Sequence, residues 1–434
     1  MKHTLIILLA GLFFTIVAAN AQDSFYVAGN KIYDPCGEHF IPRGINYPVL
    51  DDWDFPANMN NGNEQSAEII KASPNIVRIA WYNDYGQPAR PAFSLTDLDS
   101  VISRFSRNGI VSVINIMDVT CSNDYNAFAN RVANWWVQPG VVALIKKHQG
   151  MVMANIANEF GHVNWAGNQA AALQTWKDTY KDMIIAMRNA GIKVPIMIDA
   201  PDCGTSIDRL LATGAEFQNH DPLHNVICST HAYWGLDDSA TVAGKVQQAA
   251  NAVFPVILGE IANFQTDAQP CQYNIQYTSI LRECQSGQVG WMAWCWYKDH
   301  CPSRQMTTDG KIANLSPYGQ VIVNHADWGL ATKAIKTVYL KNNGVCDPSD
   351  VGKIHRAEDA NIIRWVQPER TLKFSQSGTF SITNSVGHVI VRKSIVVNEN
   401  YVAPNDLPGG IYIIRFASEN GTPAHAKIFV GVQL

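Results

Sequence analysis

Residues 151–160 read MVMANIANEF, and residues 255–262 read PVILGEIA. Each is a short apolar run of strand character that closes on polarity, the first in Asn158 and Glu159, the second with Glu260 near its end. Apolar runs without alternation mark strands buried on both faces, as in a parallel sheet flanked by helices. Charged side chains are rarely buried unless paired or at work, so a carboxylate at the tip of a core strand calls for a partner. A lone acid there would close an ion pair at the sheet's edge. Two of them, delivered by two core strands, suit hydrolysis of a glycosidic bond, which needs one carboxyl group to protonate the leaving oxygen and one to attack or to activate water.

Six further runs of the same kind surround these two. They are HFIPRGIN (39–46), NIVRIAW (75–81), IVSVINIMD (110–118), KVPIMIDAP (193–201), NVICSTHAY (225–233) and GWMAWCWY (290–297). Helix-period segments such as LTDLDSVISRFSRNG and AALQTWKDTYKDMIIAMRNAGIK lie between them, several closed by a glycine stop. Eight strand/helix units predict an α/β fold, a (β/α)8 TIM barrel, whose active site sits at the C-terminal strand ends. That rule selects Arg78, Asn158, Glu159, His231, Tyr233, Glu260 and Trp294. A doubly wound sheet would need a glycine-rich phosphate loop after an early strand, and no GxGxxG stands there.

After residue 333 the character changes. From Asp359 onward the chain reads as short strands, with Asn420-Gly421 as a tight hairpin signal. The expected organisation is a leader over 1–21, a catalytic barrel over 22–333, a linker over 334–355 around KNNGVCDPSDVGK, and a small β-sandwich over 356–434.

Hydrophobic residues at 47%, charged residues at 16% and a formal charge of -4 describe an ordinary globular protein and give no electrostatic reason to expect nucleic acid or an anionic membrane. A neutral partner is expected, and twelve Trp and fifteen Tyr would supply rings for stacking on sugar faces. The opening MKHTLIILLAGLFFTIVAANAQ has the layout of a secretory signal peptide cleaved near Ala21, and no later stretch is apolar enough for a membrane span. Export permits disulfides among the nine cysteines, and the odd count leaves at least one thiol over. Cys295 and Cys301 flank one short loop and Cys271 and Cys284 lie in a second neighbourhood, with the pairing left open. The segment CWYKDHC with His300 has no second ligand pair at zinc spacing, so no metal is expected.

The segments NIANE, STHAY, VILGE and GWMAWCW, with RGIN and NIVRIAW upstream, resemble glycoside hydrolase family 5, the cellulase and β-mannanase family, and within it bacterial endo-β-1,4-mannanases. The likeness covers residues 24 to about 328. It implies a retaining double displacement without cofactor on a β-1,4-linked polysaccharide, with Glu159 as acid/base and Glu260 as nucleophile. By the same likeness Asn158 would donate to the sugar 2-hydroxyl, Arg78 and Tyr233 would hold Glu260, His231 would contact the sugar or the acid/base, and Trp294 with Trp296 would floor the cleaved sugar. The negative charge of Glu260 should raise the pKa of Glu159.

Met117-Asp118 departs from the family's usual His-Asp pair at the end of the third strand, which implies a subsite rebuilt with His162 or Asp118, or a different preferred sugar. A cellulase with the same mechanism and a polysaccharide-binding protein without turnover are the alternatives, the latter opposed by the intact pair of acids. The segment DLPGGIYIIRFASENGTPAHAKIFV resembles the sorting domain read by type IX secretion machinery. A carbohydrate-binding module is the competing reading, which a row of exposed aromatics would favour; Trp365, Phe374, Phe380, Tyr401 and Tyr412 are scattered instead.

Overall fold

Eight of the apolar runs form the strands of a closed barrel: β1 (Arg43–Tyr47), β2 (Ile76–Trp81), β3 (Val111–Ile116), β4 (Val152–Asn155), β5 (Ile196–Asp199), β6 (Val226–His231), β7 (Val256–Ile261) and β8 (Gly290–Ala293). Each pairs in parallel with its neighbours in sequence, and β8 closes on β1. Every residue in these strands is buried, which explains why the runs carry no alternation. The computed structural model describes residues 22–49, 65–83, 94–265 and 271–346, and farther on 363–366, 371–374, 376–384, 389–397, 399–402, 410–418 and 423–430. The expected leader, the Asn420-Gly421 turn and residues 347–355 of the expected linker lie outside the described residues, as do the side chains of Trp365 and Tyr412.

Side chains along a strand alternate between faces, and this alternation builds the barrel in layers. Val113, Met153, Met197, Ile227, Ile257 and Met292 share one core cluster, whereas their immediate neighbours Ile114, Ala154, Ile198, Cys228, Leu258 and Trp291 belong to the cluster under the helices. The first cluster also contains Phe25, Ile32, Phe40, Tyr339 and Leu340 together with Ile76, Val111 and Met151, which begin or precede their strands. The N-terminal hairpin and residues 339–340 therefore plug the barrel beneath the N-terminal strand ends. Cys36–Cys346 ties the two plugging segments together across 310 residues, a crosslink worth on the order of 5 kcal/mol by loop-closure entropy. Residues 334–346, expected to begin a linker, thus contribute to the barrel's core, and the chain divides at residues 348/349 into two compact units.

The outer helices follow from their sequence stripes. Leu95–Arg107 buries Leu98, Val101, Ile102 and Phe105 on one face. Ser94 caps it reciprocally with Asp97, a device worth about 1 kcal/mol. None of the helices among the described residues is long and apolar enough to cross a membrane.

The second unit contains two antiparallel sheets. One has three strands, Ile363–Val366, Thr371–Phe374 and Asn400–Val402. The other has four, Val389–Ile395, Gly378–Asn384, Gly410–Ser418 and Pro423–Val430. Phe374 of the first packs against Phe380 and Phe416 of the second at ring distances of 4.9 and 5.3 Å.

Candidate active site

One layer above the Met/Ile/Val stratum, alternation brings Asn46, Arg78, Asn155 and Asp199 inward, where hydrophobic filling gives way to a polar network. Arg78 organises it. This guanidinium is fully buried and donates from Nε to Asn155 Oδ1 at 2.8 Å and from Nη1 to Asn46 Oδ1 at 3.0 Å. It also donates from Nη1 to Glu260 Oε1 at 2.7 Å, and from Nη2 to Asn158 Oδ1 at 2.6 Å and Asp199 Oδ2 at 3.0 Å. Five acceptors satisfy all that its planar fork can offer there, which is how a buried charge becomes tolerable.

Strict alternation would not place Glu260 in this layer. Ile257 faces the interior and Leu258 the helices, so Gly259 should face in and Glu260 out. The pairing of β7 with β6 shifts register between Leu258 and Glu260, and its pairing with β8 shifts between Leu258 and Ile261. This bulge absorbs one residue and turns Glu260 inward. Glycine is required at 259 because a Cβ would lie 2.3 Å from Ser229 Oγ and 3.0 Å from His231 Nε2. Once inside, Glu260 accepts from Arg78 through Oε1 and from the Tyr233 hydroxyl at 2.6 Å through Oε2.

Glu159 arrives differently. Strand β4 ends at Asn155, and Glu159 itself has φ +52, a left-handed conformation that costs a side-chain-bearing residue about 1–2 kcal/mol. Its Oε1 lies 2.6 Å from His231 Nδ1, and Oε2 lies 3.1 Å from Cys121 Sγ. Burial raises its pKa, opposed by His231 and assisted by the charges of Glu260 and Asp199. The Glu260 effect expected from sequence is therefore present, with burial as the larger cause.

His231 is fully buried between the acids, with Nδ1 3.5 Å from Glu260 Oε1 and Nε2 3.4 Å from Asp199 Oδ2. Burial opposes its protonation, but Glu260, Asp199 and the hydrogen bond to Glu159 outweigh that and push it up to about 10. Asp199 is held well below the usual carboxylate range against its burial, by His231 and Arg78. Two cations thus face three carboxyl groups, and the proton that balances them belongs on Glu159.

An oxygen of Glu159, an oxygen of Glu260 and a nitrogen of His231 all lie within 4.8 Å of one another. That trio has the donor types of a metal site, yet Glu260 is already neutralised by Arg78 and the imidazole nitrogen facing both acids is protonated, so a divalent ion would have to displace established partners. Cys301 forms a disulfide with Cys271, which removes it as a thiolate for the CWYKDHC segment. Cys121 pairs with Cys203, while Cys228, Cys284 and Cys295 are buried thiols. Burial pushes the Cys284 thiol up to about 12.

The site opens into a cavity of about 750 Å³ lined by Asn158, Glu159, Tyr233, Glu260, Trp165 and Trp294 among others. Trp294 is half-buried, its indole donating to Asp299 Oδ2 at 2.6 Å. Asp299 in turn accepts twice from Arg304 Nη2 at 2.9 Å, and that guanidinium lies 5.4 Å from the centre of the Tyr233 ring. The expected second stacking ring does not reach the cavity: Trp296 is fully buried and donates to Gly310 O at 2.9 Å. Strand β8 ends at Ala293, so its alternation no longer governs residue 296. Met117 lines the cavity, whereas His162 hydrogen-bonds to the Cys121 carbonyl and Asp118 accepts from the Asn83 amide, neither lining it. Sequence reasoning missed Asp199, although KVPIMID ends on an acid just as NIANE does. It also missed Trp165, exposed at 59% on the loop beyond Glu159.

Residues 36–300 match the family described as Cellulase (glycosyl hydrolase family 5). The chain is 28% identical to a mannan endo-1,4-beta-mannosidase of Salipaludibacillus agaradhaerens over 74% of its own length and 97% of the relative's. It is 25% identical to a Cellvibrio japonicus enzyme of the same name over 79% and 75% respectively. Among solved structures, the catalytic domain of a Streptomyces sp. SirexAA-E mannanase superposes with TM-score 0.61 at 22% identity, covering 77% of this chain and 99% of that one. A Thermomonospora fusca β-mannanase in complex with mannotriose gives 0.60 at 22%, covering 73% and 99%. At these identities the two structures speak for the fold. The family match spans more than half of the chain, and the chain therefore belongs to glycosyl hydrolase family 5 and is a retaining glycoside hydrolase acting on O-glycosyl bonds.

Proposed function

We propose that this chain is a secreted endo-β-1,4-mannanase in which Glu159 is the acid/base and Glu260 the nucleophile. The observation that carries the reading is the approach of the two carboxyl groups to within 4.8 Å at one cavity, a spacing that leaves no room for an intervening water and suits direct attack. Glu260, held by Arg78 and Tyr233, attacks the anomeric carbon while Glu159 gives its proton to the departing glycosidic oxygen. The ionised Glu159 then takes a proton from water, which attacks the same carbon and releases Glu260 with the original configuration restored. Asn158 Nδ2, which faces Thr120 Oγ1 at 3.1 Å, is the donor we assign to the sugar 2-hydroxyl, and Trp294 is the surface beneath the ring.

A polymeric substrate is favoured by the cavity's continuation. A second hollow of about 680 Å³ shares Thr205, Tyr233 and Gln265 with the first, giving a groove longer than one sugar. Mannan is favoured by the mannosidase relatives. Met117 in the cavity wall supports the second reading, a glucanase of the same mechanism, and a Caldicellulosiruptor saccharolyticus relative is described as both beta-mannanase and endoglucanase. Reducing-end release from galactomannan, glucomannan, carboxymethylcellulose and xylan decides between them. We expect the two mannans to exceed carboxymethylcellulose at least about tenfold in kcat/KM, the scale set by one mispaired hydroxyl. Faster cleavage of carboxymethylcellulose would transfer the assignment to glucan.

For the second unit, the reading is a β-sandwich that serves as a sorting domain for type IX secretion. The sandwich is supported by the Phe374 contacts between the two sheets, and the sorting role by the sequence likeness over GGIYIIRF and the last strand pair. Export is supported by the leader layout and by three disulfides, which persist in oxidising compartments. Truncation of residues 350–434 in the native host should leave specific activity within about twofold of the full chain while shifting enzyme from outside to inside the cell. Unimpaired export with weakened retention on insoluble mannan would identify a carbohydrate-binding module instead.

A further inference from the structure

Two cysteines separated by 82 residues close a disulfide against the carboxyl group of Glu159. Cys121 lies in the loop after β3 and Cys203 in the loop after β5, and both line the catalytic cavity. Cys121 Sγ is 3.1 Å from Glu159 Oε2, and the two sulfurs and one Glu159 oxygen all fall within 4.8 Å of one another. A disulfide sulfur carries no proton and can only accept, weakly. An ionised Oε2 would therefore confront lone pairs, whereas a protonated Oε2 finds an acceptor. The other oxygen, Oε1, already takes the imidazole proton of His231, which leaves Oε2 as the seat of the carboxyl proton.

The same bridge holds the wall behind that histidine. Cys203 precedes Gly204, whose carbonyl accepts from the His231 amide at 2.8 Å and from the Thr230 hydroxyl at 2.9 Å. The chain packs so closely there that a Cβ on Gly204 would lie 2.7 Å from the His231 ring. On the other side, the Cys121 carbonyl accepts from His162, and the amide of Gly161 donates to Ser122. The loop bearing Glu159 is thereby docked on the loop bearing Cys121.

We infer that the Cys121–Cys203 disulfide is a positioning element of the acid/base, walling Oε2 of Glu159 with a group that cannot donate to a carboxylate and so keeping the departing oxygen's proton on that atom. The inference rests on reading Glu159 as the acid/base. Other charges reach Glu159 from three strands, namely His231 on β6, Glu260 on β7 and Asp199 on β5, with Arg78 behind them. Lys298, His300 and the Arg304–Asp299 pair line the cavity. None of these groups is itself replaced when only the bridge is changed.

The test is the pH profile of kcat/KM for the full chain with Cys121→Ser and Cys203→Ser together, since a serine hydroxyl donates where the sulfur cannot. The alkaline limb on mannan is expected to move down by about one pH unit, so that activity above it falls about tenfold. A 2,4-dinitrophenyl glycoside of a β-1,4-mannobiose, whose leaving group needs no proton, should lose less than twofold in the glycosylation step. Cys36→Ser with Cys346→Ser, which opens the distant crosslink, should leave the limb where it is.

Should the active-site variant not fold by circular dichroism, phosphine reduction of the folded wild type, with alkylation mapped by mass spectrometry, replaces it and should give the same downward shift. A limb that stays put, with mannan and aryl glycoside losing activity equally, would show a bridge that merely braces the fold. Glu159→Ala run in parallel separates the two failures. If that variant still cleaves mannan, the acid/base reading itself is wrong; if it does not and the bridge variant shows no shift, only the present inference falls.

Discussion

Replacing Glu260 by glutamine is expected to abolish hydrolysis of every substrate, activated aryl glycosides included, while the protein folds and binds polymer as before. Glutamine is nearly isosteric, and its carbonyl oxygen can still accept from Arg78 Nη1, which lies 2.7 Å from the present carboxylate oxygen. What vanishes is the proposed nucleophile. Asp199 cannot take over, because it is committed to Arg78 beside His231. The loss should be at least about 10⁴-fold in kcat, equivalent to about 5.4 kcal/mol of transition-state stabilisation. Removing the negative charge also relieves one of the effects that raise the pKa of Glu159. Steady-state kinetics with affinity electrophoresis on galactomannan checks both halves, and appreciable turnover by Glu260→Gln would remove the nucleophile assignment.

Glu159→Ala should fail in a different way. Cleavage of the natural polymer needs the proton and should fall about 10²–10⁴-fold, whereas the first step on a dinitrophenyl glycoside should survive and the covalent intermediate should accumulate for want of a base. A small anion such as azide, which needs no deprotonation, is expected to restore turnover with an azide product of retained configuration. The wild-type pH profile adds a sign. Because burial and the nearby acids raise this carboxyl group, the form competent to donate persists above the ordinary glutamic range and is lost as pH rises through the shifted value. The alkaline limb should therefore lie above pH 4.5, the ordinary value, and be absent from Glu159→Ala acting on the dinitrophenyl glycoside. An unchanged limb in that variant would mean that another group titrates.

Much of this site was legible in the chain. Eight uninterrupted apolar runs can satisfy their backbones and bury both faces only in a covered parallel sheet, and the acid or arginine that ends such a run has one place to go, the rim. The same logic reached Arg78, Asn158, Glu159, His231, Tyr233 and Trp294, all of which the fold brings to one network or cavity. Asp199 carries the same signature, an acid closing the apolar run KVPIMID, but its part in the network shows only in its contact with Arg78. The family likeness misplaced Trp296, which stands past the last paired residue of β8 and turns into the core to donate to Gly310.

The apolar periodicity and its polar interruptions, properties of residues near in sequence, determined the barrel, its eight strands and the end at which chemistry gathers. Tertiary structure decided the rest. Whether Glu260 faces in or out depends on a bulge at Gly259 that exists only because β6 and β8 pair with β7 at shifted register, and the wall of Glu159 depends on which of nine cysteines meet. Both are matters of distance between residues remote along the chain. Local pattern carries no information about such distances; packing does, because closing the barrel leaves each of those side chains a single place to fit.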